Sequence, residues 1–148
     1  MVTLADLTTG LHTVYQPIVD LRVGHSLVAV EALTRGAPGP LEPPARLFAA
    51  AAGAGLVREL DEACLRAALL GAPAGPGAVT LFVNVEPVTL AALTSPQLHE
   101  LVALVPPSVR VVLEVTERDL MVAPAGLGAA VGGLRELGWG IALDDVGA

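Results

Sequence analysis

Apolar and polar residues alternate over residues 13–19 and again over 27–33, with a short polar stretch at 20–26 between them. Period-two alternation is the pattern of a strand with one covered face. Two such runs joined by so short a turn pair antiparallel, because a parallel crossover needs a dozen or more residues. Prolines in 37–44 break regular structure, and Pro44 suits the first turn of a helix over 45–54 that stops near Gly55. A second helix is predicted over 57–70, where Leu60, Cys64, Leu65 and Leu69 fall at helical spacing.

A glycine- and proline-rich loop at 71–77 introduces a more regular rhythm. Strands are predicted at 79–85 and 109–115, a helix at 96–104 that ends before Pro106 and Pro107, a weaker helix at 124–137, and a fifth strand beginning at 141–143. Strands alternating with helices imply parallel pairing through right-handed crossovers. A doubly wound sheet and a barrel both fit that rhythm.

Composition narrows the function classes. The 148 residues are 53% hydrophobic and 16% charged, which excludes intrinsic disorder. Asp and Glu number 15 against 8 for Lys and Arg, a net charge of −7 that argues against binding DNA or RNA, whose phosphates need a basic face. No apolar run approaches the roughly 20 residues of a spanning helix, and no basic segment precedes an apolar stretch at the start, so neither a membrane segment nor a signal peptide is expected. The single cysteine, Cys64, forbids an internal disulfide and suits a reducing, cytoplasmic location.

The chemistry lies where the apolar β-runs end. Glu31 closes one run, Asn84 another, Glu114 the next, and Asp144 with Asp145 the last. Positions 84, 114 and 144 are 30 residues apart, one strand–helix unit each, so these oxygens are expected at the same end of neighbouring strands. In a barrel that is the C-terminal face, where active sites are built. A lone acid at a strand end commonly caps the following helix. Several carboxylates gathered together are costly unless a cation neutralises them, and an all-oxygen set suits Mg²⁺ or Mn²⁺ rather than Zn²⁺. The adjacent Asp144 and Asp145 could bridge two ions, an arrangement suited to phosphodiester hydrolysis. His12, His25 and His99 read as solvated surface residues, Cys64 as a small core residue, and Trp139 as packing against a barrel floor.

These residues also resemble the EAL domain family, the phosphodiesterases that open cyclic di-GMP. The signature triplet is Glu31-Ala32-Leu33, preceded by Tyr15-Gln16-Pro17-Ile18 and followed by Arg35. Leu60-Asp61, Asn84, Leu113-Glu114-Val115-Thr116-Glu117 and Asp144-Asp145-Val146-Gly147 then follow in family order, so the resemblance spans residues 12–148. It implies a TIM-like (β/α)8 barrel whose first strand runs antiparallel, with about five of its eight strands present here. It implies that Glu31, Asn84, Glu114 and Asp144 ligate a first Mg²⁺ or Mn²⁺ and Asp145 a second, with Glu31, Asp144 and Asp145 at the catalytic centre. Gln16, Leu33 and Arg35 fall where the family contacts the guanine and phosphate of its ligand, and Glu117 where a glutamate steadies the loop after the paired aspartates.

The sequence also departs from the family. Gly36 stands in place of a usual Trp, Ala52 of an acid, Glu86 of a Ser, and Val146 and Ala148 of the Phe and a later polar residue. The family's water-activating lysine has no counterpart, since the chain contains no lysine. The expectation is therefore the N-terminal part of an EAL domain over 1–148, a cyclic di-GMP phosphodiesterase module impaired in this form and completed by a missing C-terminal half or by a homodimer. The alternative is a degenerate module that binds cyclic di-GMP or a protein partner in signalling.

Overall fold

The computed structural model describes residues 1–22, 24–73, 78–116 and 125–144. Its centre is a five-stranded sheet in the order β1-β2-β3-β4-β5, formed by β1 (His12–Asp20), β2 (Ser26–Arg35), β3 (Val79–Asn84), β4 (Val109–Thr116) and β5 (Gly140–Asp144). β1 pairs antiparallel with β2, and every later pairing is parallel. The first pair is thus the hairpin that the alternation predicts, and the rest are the expected crossovers. Pro17 sits in β1, an edge strand of the described sheet, where a missing backbone donor is tolerated.

Six helices accompany the sheet among the described residues: α1 (Leu4–Thr8), α2 (Pro44–Ala54), α3 (Val57–Leu70), α4 (Pro87–Ala92), α5 (Ser95–Ala103) and α6 (Leu127–Glu136). α2 begins on Pro44 and ends at Gly55, whose φ of 70° is left-handed, and one further residue leads into α3. α1 and α4 do not figure in the sequence reading. At five and six residues they are too short for a 3.6-residue period to show. α1 is set instead by its capping box, in which Thr3 and Asp6 exchange hydrogen bonds.

Alternation gives the sheet two unlike faces. Val30 and Ala32 of β2, Leu81 and Val83 of β3, and Val111, Leu113 and Val115 of β4 are buried beneath the helices. They meet Leu65 and Leu69 of α3, Leu90 of α4, Leu98 and Leu101 of α5 and Leu134 of α6 in the main core. Each such buried leucine contributes about 1.5–3 kcal/mol relative to exposure. Trp139 is buried in this same core between sheet and helices, and the three histidines are exposed, as the sequence suggests for them. A second, smaller cluster joins Leu7 of α1, Leu47 and Ala51 of α2, and Leu60 and Cys64 of α3. The opposite face of the sheet is the more open one, and it carries the polar residues.

Candidate functional site

Pairing register fixes which side chains share that open face. Gln16 lies directly across from Glu31, Val14 from Leu33 and His12 from Arg35, so Gln16, Glu31, Leu33 and Arg35 project to one side. Glu31 is level with Phe82, Asn84 with Glu114, Glu114 with Ala142, and Thr116 with Asp144. Side chains two positions apart along a strand face the same way, so Asn84, Glu114 and Asp144 join Glu31 on the same face.

The alignment nevertheless differs from the sequence reading at Glu31. Glu31 does not close its strand, because β2 continues to Arg35. Nor do the oxygens form a level row: Asn84 stands two residues beyond the level of Glu31, and Asp144 two beyond the level of Glu114. The row is stepped along the sheet, as expected where neighbouring parallel strands are offset by the shear of a barrel.

Glu31 and Asn84 are in direct contact, with the Asn84 Nδ2 donating to Glu31 Oε1 at 3.1 Å. Glu114 is half-buried, and burial, followed by the negative charges of Glu31 and Asp144, pushes its carboxyl up to about 7. Glu114 on β4 thus feels both Glu31 on β2 and Asp144 on β5. Among the described residues, however, no three acidic, histidine or cysteine side chains close into a ready cage for an ion. The donor set still fits a hard cation in chemistry: three acids and an amide, mutually repulsive without a positive charge between them. Asp145 and Glu117, the other two predicted site residues, lie outside the described residues.

Arg35 is half-buried, and its Nη1 donates to the Thr34 carbonyl at 2.8 Å, which anchors the guanidinium at the end of β2. Beside the strand ends a cavity of about 290 Å³ runs between β2–β4 and the helices α2 and α3, lined by Arg35, Phe48, Asp61, Asn84 and Glu114 among others. Asp61 is a residue to which the sequence reading gave no role in the site. It is only 3% exposed, and its Oδ2 accepts the backbone N–H of Glu86 at 3.0 Å. Burial pushes its carboxyl up to about 7 against the pull of the Thr89 hydroxyl and of that hydrogen bond. The signal was present in the helical spacing: Asp61 shares a stripe with Leu65 and Leu69, and an acid on a core-facing stripe is unusual.

Solved structures share this arrangement of strands and helices. The chain is similar to a manganese and cyclic di-GMP complex of Klebsiella pneumoniae BlrP1, at 24% identity and a TM-score of 0.73 over 93% of this chain and 35% of that one. It is similar to the Pseudomonas aeruginosa FimX EAL domain bound to cyclic di-GMP, at 25% identity and a TM-score of 0.69 over 97% of this chain and 60% of that one. The EAL domain of Mycobacterium smegmatis DcpA gives 25% identity and a TM-score of 0.61, over 93% and 56%. The chain therefore spans between 35% and 60% of the length of these three. No curated protein sequence matches it. No helix among the described residues is long and apolar enough to cross a membrane. The EAL domain model matches residues 5–148, nearly the whole chain, and on that match this chain belongs to the EAL domain family.

Proposed function

We propose that this chain is a metal-dependent phosphodiesterase module, impaired in this form, whose reaction is hydrolysis of cyclic di-GMP to the linear dinucleotide. One observation carries the reading: Glu31, Asn84, Glu114 and Asp144 share one sheet face, and the charges of Glu31 and Asp144 bear on Glu114 strongly enough to help raise it to about 7. In this reading Glu31, Asn84, Glu114 and Asp144 hold a first Mg²⁺ or Mn²⁺, and Asp145 a second. Such ions, when bound, supply positive charge at the strand ends and a water that ionises near neutral pH.

The chain's own residues do the rest. The hydrogen bond from Asn84 holds one oxygen of Glu31 in place. Arg35, anchored through Thr34, presents its remaining N–H groups to a phosphate, a planar donor set suited to that anion. Gln16, across from Glu31, offers both a donor and an acceptor to a guanine edge, and Leu33 an apolar surface beside it. Glu117 would steady the segment that follows Asp144 and Asp145.

The test is incubation of purified 1–148 with cyclic di-GMP and Mn²⁺ or Mg²⁺, after circular dichroism has shown that it is folded, with products separated by chromatography. The expected result is slow formation of linear dinucleotide by the wild-type chain, in keeping with an impaired module, and none by Glu31→Ala. A folded chain that makes no product overturns the enzymatic reading. If that chain still retains cyclic di-GMP in equilibrium dialysis, the module is a binder rather than a hydrolase.

A further inference from the structure

Asp61 sits on α3, away from the face that carries Glu31, Asn84 and Glu114, yet it reaches the end of β3. Asn84 is the last residue of that strand, and Glu86 caps α4 two residues later without a side-chain capping bond. Two backbone N–H groups of this turn are engaged by other elements. Val85 N–H donates to the Glu114 carbonyl at 3.0 Å, tying the turn to β4, and Glu86 N–H donates to the Asp61 carboxylate at 3.0 Å, tying it to α3. The first bond continues the sheet ladder. The second comes from a side chain 25 residues away that is 3% exposed, with the buried Thr89 hydroxyl and the Glu86 charge close by. Burying a carboxyl is unfavourable, and an apolar residue on this stripe would fill the core at no such cost. What an apolar residue cannot supply is an acceptor for Glu86.

We propose that Asp61 is a positioning residue that pins the β3–α4 turn and thereby aims the Asn84 amide at Glu31. The proposal rests on the reading of Glu31 and Asn84 as metal ligands. In this role Asp61 is not itself a ligand of the ion and acts through the backbone of 84–86. Outer-shell partners of metal ligands typically govern affinity in this indirect way.

The experiment is titration of the full 1–148 chain with Mn²⁺ alone, followed by the paramagnetic resonance of the free ion, on samples whose folded fraction is established by circular dichroism. Asp61→Ala is expected to bind Mn²⁺ about 10- to 100-fold more weakly than wild type. Asp61→Asn, whose carboxamide oxygen still accepts from Glu86 N–H, is expected to recover most of that loss. Glu86→Pro offers an independent route should Asp61→Ala not fold. The φ of −72° at Glu86 already suits proline, so this variant deletes the N–H with little backbone strain. Its affinity is expected to fall below that of Glu86→Ala, which removes the same side chain but keeps the donor.

Folded Asp61→Ala with wild-type affinity overturns the proposal, as does Glu86→Pro binding as tightly as Glu86→Ala. Asp61→Asn binding as weakly as Asp61→Ala also overturns it, because charge rather than hydrogen bonding would then be at work. A merely structural role would change melting without moving the affinity of the folded fraction. Wild-type chain that binds no Mn²⁺ overturns the metal-site reading itself, and the proposal with it. That outcome is distinct from a wild-type chain that binds while the variants do not differ.

Discussion

Glu114 and Asp61 are two carboxyls that the fold holds near 7, well above the ordinary 4.5 and 3.8. The folded chain therefore keeps these protons at pH values where the unfolded chain has released them. The stability they supply is complete below about pH 4 and is lost as the pH climbs through about 7. Metal-free protein should accordingly show a falling urea midpoint between those limits. Glu114→Gln and Asp61→Asn should each flatten the fall, which denaturation at a series of pH values in the presence of a chelator would check. The two residues also differ in how far sequence reveals them. Glu114 was visible because it ends an apolar run one strand–helix unit after Asn84. Asp61 belonged to a stripe that reads as core, and its role depends on a hydrogen bond across 25 residues that no local pattern encodes.

Among the elements, the long strands and the helices α2, α3 and α5 were legible to within a residue or two, since their periods run through several repeats and their ends carry proline or glycine. The step in the row of site oxygens was not. Spacing along the chain says that a residue recurs once per unit, but the offset between neighbouring strands is decided by how sheet and helices pack. Loop 36–42 illustrates the same limit. Gly36 is buried, its N–H donates to the Glu42 carbonyl at 3.1 Å, and a Cβ added there would run into the Leu41 carbonyl. A large side chain has no room at this position, because the returning backbone occupies it. Gly36→Ala should destabilise the chain by about 1–3 kcal/mol, the range for forcing an extra group into a packed site, as read by urea unfolding.

At the scale of the molecule, the two apolar clusters found among the described residues are joined by α3. α3 gives Leu60 and Cys64 to the small cluster with α1 and α2, and Leu65 and Leu69 to the main core beneath the sheet. Tyr15 adds a tie from the hairpin, its hydroxyl donating to the Ala68 carbonyl at 2.9 Å. Leu7, Leu47 and Ala51 have no place in the main core, so α1 and α2 form a flap seated on α3 rather than a part of the sheet's own packing. A flap held by so few apolar groups is the kind of unit that opens before the rest unfolds. The chain carries a reporter of that event. Cys64 is the only thiol, it is buried beneath the flap, and burial pushes it up to about 11, so it is inert while the flap is closed. Its rate of reaction with a disulfide reagent should track sub-global opening. Leu47→Ala is expected to speed that reaction more than it slows refolding of the sheet, and equal acceleration by Leu113→Ala would show instead that both clusters come apart as a single cooperative unit.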